Sequence, residues 1–175
     1  VDNHGGTLQT GGALTLGVDG RLDNSGQGVI ASGGDAHLTA ATLDNQAGSI
    51  EHAGDGTLTI EATDLLGAGG RIVGNGGLQL KGDTLDLSDA TTGARQVTVT
   101  AGSLDTSNGT LTSTGTQAMI LQVDRALTNN GGTIAANGAQ QVTAGTLSNI
   151  DGTLSAAGTG DTRINVRGTF DNTRG

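Results

Sequence analysis

Apolar residues return about every 21 positions along the chain. Val1, Leu22, Leu43, Leu65, Leu85, Leu104, Leu127, Leu147 and Phe170 open successive units, at intervals of 21, 21, 22, 20, 19, 23, 20 and 23 residues. Seven positions further on, Leu8, Val29, Ile50, Ile72, Leu111, Ile134 and Leu154 form a second apolar series. An alternating pair follows in most units: Leu14/Leu16, Leu58/Ile60, Leu78/Leu80, Val97/Val99, Leu121/Val123 and Ile164/Val166. Alternation with period two marks a strand with one buried face. No stretch sustains the i, i+3, i+4, i+7 spacing of an amphipathic helix. The pattern predicts three short strands per unit, separated by Gly- and Asn-bearing corners.

Units of this length that repeat in register predict an elongated solenoid in which each unit packs on its neighbours. The expected architecture is all-β: a right-handed parallel β-helix (β-solenoid) of about eight coils of about 21 residues. At roughly 4.8 Å per coil, such a rod would be about 38 Å long. Residues 1–175 read as a single β-helix segment with units starting near 1, 22, 43, 65, 85, 104, 127, 147 and 170. A propeller is disfavoured because its repeats are about twice as long. An antiparallel meander has no reason to hold Gly and Asn at fixed offsets over eight units.

Those fixed offsets define two polar series. Asn3, Asn24, Asn45, Asn129, Asn149 and Asn172 stand two positions after the opening residue. Stacked one coil apart, their carboxamides would form a hydrogen-bonded ladder. Gly6, Gly48, Gly70, Gly109, Gly132, Gly152 and Gly175 stand five positions after it, as corner glycines expected at positive φ. The fifth unit departs from the pattern, with Leu87, Ala90 and Thr92 replacing the Asn, Gly and apolar residue. It is expected to bulge or loop out, and the 23-residue sixth and eighth units to carry longer corners. Irregular corners are where solenoids place binding surface. Ser88, Asp89, Arg95 and Gln96 are therefore the candidate binding corner, the alternative being a tolerated insertion.

Composition narrows the function. Seventeen acidic residues against eight basic ones give a net charge of −9. That argues against nucleic acid, which calls for a clustered cationic surface, and against electrostatic binding to anionic membranes. No apolar run has the length of a membrane span, so no membrane insertion is expected. Phe170 is the sole aromatic residue, so the core must be built from aliphatic layers. The absence of Cys fits a reducing compartment, and equally a secreted chain that crosses a membrane pore unfolded. Val1 and the lack of a signal peptide read as an excised segment.

Chemistry-bearing residues are sparse. Asp2, Asp23, Asp44, Asp86, Asp105 and Asp171 follow the opening residue and would stack on the outer face. A row of carboxylates could hold a divalent cation, but an acidic solvated face explains it as well. Asp161/Arg163 and Asp124/Arg125 are near in sequence, yet a surface ion pair accounts for them better than a carbohydrate-cleaving site. His4, His37 and His52 fall at different offsets within their units and would not share a column. Thr57/Thr59 and Thr98/Thr100 do not repeat as a lattice-matching ice-binding face requires. The expectation is no enzyme, no cofactor and no metal site.

The strings LDNSGQGVIASGGDAHLTA, LDNQAGSIEHAGDGTLTI, LTNNGGTIAANGAQQVTA and LSNIDGTLSAAGTG resemble the filamentous haemagglutinin repeat, with its Leu-x-Asn-x-x-Gly-x-Ile/Leu opening. The likeness covers essentially the whole chain. It is clear at 22–41, 43–62, 127–144 and 147–158 and weak at 85–103. The resemblance implies a stalk segment of a very large bacterial exoprotein, either an adhesin or an effector of contact-dependent growth inhibition. It also implies secretion to the cell surface through an outer-membrane two-partner secretion transporter. A host or target-cell receptor or glycan is the partner that a direct adhesion module would take. A polysaccharide-active β-helix enzyme is the weakest alternative. Exposed coil edges at the two ends invite end-to-end association.

Overall fold

The computed structural model describes residues 1–175. The chain is all-β and winds as stacked coils of parallel strands, with no helix. Each coil contributes to two sheets. Eight four-residue strands, from Thr7–Thr10 to Thr153–Ala156, form one sheet in strict coil order. The other is built from longer strands such as Leu14–Asp23, Thr57–Leu66 and Gln96–Asp105, and ends at Arg163–Val166 and Phe170–Asp171. The alternating pair and the next opening residue thus lie on one continuous strand. It turns a corner while keeping its parallel pairing, so two of the three expected strands run together. Where the corner holds an extra residue, as at Asp19–Gly20 and Asp124–Arg125, the register shifts by one. Such a bulge bends a strand without ending it.

The pairing is in register from coil to coil. Leu22, Leu43, Leu65, Leu85, Leu104, Leu127, Leu147 and Phe170 are successive partners, and all but Phe170 are buried. Leu16, Leu38, Ile60, Leu80, Val99, Leu121, Val142 and Ile164 form a second column. A third runs Leu8, Ile30, Ile50, Ile72, Thr92, Leu111, Ile134 and Leu154. These columns meet in one continuous core of 32 buried hydrophobic residues. A fully buried leucine or isoleucine contributes about 1.5–3 kcal/mol. Ordering the residues of the coil offsets much of that, so stability accrues by stacking.

Two details differ from the sequence reading. Ile30, not Val29, stands in the second coil's column, because that coil's turn holds one more residue than its neighbours. Asn24 is followed by Gly28 four residues on, where Asn45 is followed by Gly48 after three. Val29 is shifted outward and half-buried. The fifth coil does not loop out. Thr91–Ala94 pairs on both sides in full register, and Leu87, Ala90 and Thr92 are buried. Thr92 is isosteric with valine, so it fills the column, at the cost of a buried hydroxyl without a partner.

The expected length surplus of the sixth and eighth coils lies at the corner leading out of the short strand. Residues 114–118 and 157–161 protrude there, as do 53–57 of the third coil. The fifth coil makes the same turn with only Arg95 and Gln96, between Ala94 and Val97.

Candidate functional site

The asparagine series lines one corner of the rod. Asn3 Nδ2 donates to Asn24 Oδ1 at 2.7 Å, and Asn24 to Asn45 at 2.7 Å. A second run links Asn129 to Asn149 at 2.7 Å and Asn149 to Asn172 at 2.6 Å. Each Nδ2 also donates to the carbonyl of its own corner glycine, as Asn45 does to Gly48 O at 3.3 Å. All but the last reach a carbonyl of the next coil's short strand as well, as Asn24 does to Ser49 O at 3.1 Å. The four inner asparagines are buried, and their polar groups are satisfied along the rod.

Between the two runs the column is occupied by Gly67, Leu87 and Thr106. Thr106 Oγ1 donates to Asn129 Oδ1 at 2.8 Å and so caps the second run. The buried Leu87 takes the space beside Gly67, where a Cβ would sit 3.1 Å from Leu87 Cδ2. An apolar plug therefore replaces two amides in the fourth and fifth coils. A scan for Asn alone misses this, and the glycine two positions after Leu65 was the available signal.

The glycines five positions after the opening residue do not adopt positive φ. The left-handed residue is one position earlier: Gly5, Gly26, Ala47, Gly69, Asp89, Asn108, Gly131, Asp151 and Arg174. Small polar residues tolerate that conformation, so the position varies. Position five is glycine for another reason, close approach between coils. A Cβ on Gly48 would collide with Asn24 O, on Gly132 with Thr106 O, and on Gly152 with Asn129 O.

The aspartate row is structural in its contacts. Asp23, Asp44, Asp86, Asp105 and Asp171 each accept the backbone N–H two residues on, fixing the turn. Hydrogen bonds from the Ser25 hydroxyl and N–H, with a contribution from Arg21, hold the Asp23 carboxyl below the usual carboxylate range. The Thr173 hydroxyl and N–H do the same for Asp171. No three His, Asp or Glu side chains converge as a metal site would require. His4 Nδ1 lies 2.9 Å from Ser25 Oγ, and His37 Nε2 lies 3.1 Å from Thr39 Oγ1. His52 is buried beside Ser32 with neither ring nitrogen partnered.

The candidate binding corner is divided. Ser88 and Asp89 belong to the asparagine-lined corner, where Ser88 Oγ donates to Asp86 Oδ1. Arg95 and Gln96 lie at the opposite end of the Thr91–Ala94 strand. There the protruding residues 53–57 and 114–118 flank the short corners between them. The resulting groove, about 310 Å³, is lined by Asp55, Thr57, Arg95, Gln96, Thr116 and Gln117, with Arg95 Nη2 3.3 Å from Asp55 Oδ1. A second groove on this edge, about 610 Å³, lies between residues 114–118 and 157–161 and includes Gln141, Asp161 and Arg163. Asp161 and Arg163 form an exposed pair at 3.4 Å. Arg125 turns away from Asp124 and reaches Asp83 at 2.9 Å, passing over Gly102, which must lack a side chain for the contact to form. Nothing along this edge juxtaposes a nucleophile with a general base.

Parallel strands in register, an aliphatic core and an intercoil amide ladder define a β-solenoid repeat protein. Residues 1–35, 10–63, 53–118 and 121–174 match the haemagglutinin repeat, and the chain belongs to that family. It is 34% identical over 144 residues, 80% of its length, to Toxin CdiA of Yersinia pestis. It is 36% identical over 161 residues, 79% of its length, to Deoxyribonuclease CdiA of Dickeya dadantii (strain 3937). It is also 40% identical over 85 residues, 46% of its length, to tRNA nuclease CdiA-2 of Burkholderia pseudomallei (strain 1026b), 3% of that protein. The chain spans about 4% of the length of the first two relatives. No solved structure matches it. No helix is long and apolar enough to cross a membrane.

Proposed function

We propose that this chain is a stalk segment of a large bacterial exoprotein, whose work is to extend rigidly and carry a distal adhesive or toxin-delivery region. The observation that carries the reading is the unbroken register of aliphatic columns and amide runs along the rod. It gives stiffness on one axis and assembles no catalytic group, so the segment is read as non-enzymatic. The small share of each curated relative that it spans suits a repeating spacer. The parent is read as leaving the cell through an outer-membrane two-partner secretion transporter and being displayed at the surface. Folding that starts at one end would draw the chain outward. The test is an in-register deletion of residues 43–84 in the parent protein. The projection should shorten by two coils, about 10 Å, with display preserved. A deletion of half a unit should abolish display. Equal tolerance of both deletions would sink the reading.

The grooved edge favours a second reading, direct binding of a receptor or glycan at Asp55, Arg95 and Gln96. Arg95→Ala with Gln96→Ala should leave folding intact. Attachment of the parent to target cells falls if the groove binds and is unchanged if the segment is only a spacer.

A further inference from the structure

The large hydrophobic side chains left exposed are Val1, Ile164 and Phe170, and all three lie on the two end coils. Thr7–Thr10 and Leu14–Asp23 pair on one side only, and so do Thr153–Ala156 and Arg163–Val166. Each end therefore presents an unpaired row of backbone N–H and C=O groups, a template for another strand.

The two ends match. Leu16 and Ile164 close opposite ends of one column, Leu8 and Leu154 those of another. Val18 and Val166 face inward at the same point of the long strand, and the residues that follow them are Asp19 and Arg167. Stacking the ends brings these opposite charges together. Asn172 Nδ2 donates only to Gly175 O, and Asn3 donates forward while its Oδ1 accepts nothing. Joined ends would continue the amide run from Asn172 to Asn3. Asp2 would stack on Asp171, an arrangement already present between Asp2 and Asp23.

We propose that the 175-residue chain binds a second copy of itself head to tail, the C-terminal coil of one against the N-terminal coil of the next. Both sheets, the aliphatic columns and the amide run then continue across the junction. The occupant is a second copy because register, donor–acceptor polarity and the Asp19–Arg167 pair all fit at once.

The test is light scattering with size-exclusion chromatography, at protein concentrations up to on the order of 100 µM. The unmodified chain should form dimers and longer species. Leu16→Lys blocks the N-terminal face and Ile164→Lys the C-terminal face. Each variant alone should be monomeric, and an equimolar mixture should give one dimer and nothing larger. Circular dichroism checks that each variant keeps its strands. If Leu16→Lys loses them, Thr15→Pro replaces it. Leu14 N–H is already bonded to Asp35 O, so the N–H of Thr15 points to the free edge and its loss leaves the column intact. A monomeric parent chain, a single variant that assembles like the parent, or a mixture that stays monomeric would each overturn the proposal.

Discussion

At the residue scale, one corner shows how two constraints divide between neighbouring positions. Asp151 absorbs the left-handed turn, while Gly152 leaves room for Asn129 O. Gly152→Val should therefore fail through collision with the preceding coil and lower the melting temperature, as should Gly132→Val. An unchanged thermal melt for both would remove the close-approach argument. Asn45→Ala strips Asn24 Nδ2 of its acceptor and leaves Gly48 O and Arg71 O without their donor. Unsatisfied buried groups cost about 1–3 kcal/mol each, so urea unfolding should shift by about that amount or more. The glycine and asparagine series were both legible in the sequence. The reason for the glycine was not, because offset counting cannot separate a residue that must bend the chain from one that must merely be thin.

At the element scale, the repeat was legible wherever a coil had ordinary length. The register at Leu22, Leu43, Leu65 and their successors follows the sequence pattern position for position. It slipped at Val29, where one residue added in a turn moved Ile30 into the core. A period averaged over eight units cannot locate a single insertion. The fifth coil misled for a different reason. Leu87 replaces an amide by filling volume beside Gly67, a compensation between residues two units apart in the alignment and adjacent only in space. Gly67→Asn should reveal the pairing. The new side chain collides with Leu87 and destabilises the fold, whereas Gly67→Asn with Leu87→Gly should recover part of the loss. Truncation within the continuous core is simpler. Leu104→Ala should cost about 2–5 kcal/mol by chemical denaturation. The candidate binding corner was least legible. A run of consecutive residues looks like one patch in sequence, yet the Thr91–Ala94 strand carries its two halves to opposite corners.

At the scale of the whole molecule, charge acts through many small exposed contacts. Arg125 holds the Asp83 carboxyl below its usual range, and Arg174 does so for Asp151. Asp23 and Asp171 are lowered by their turn hydrogen bonds. For each, the folded value lies below the unfolded value of about 3.9. The associated stability is thus fully present above that pH and is lost as pH falls through the lower folded values. The urea midpoint should be flat from neutral pH down to about 5 and decline below about 4. A decline that begins near neutrality would mean that another group, such as the enclosed His52, dominates.

Almost every contact in the rod joins a coil to the next one, and the exceptions are surface arginines such as Arg125 that lean across one coil to the coil beyond. A pulling force applied to the two termini would therefore meet no global clasp. The chain should peel one turn at a time from whichever end gives first, each event releasing about 21 residues, or roughly 70 Å of extended backbone. A single-molecule trace would show a ladder of evenly spaced, modest force peaks. The stalk would yield by paying out line, and would rewind when the load was removed.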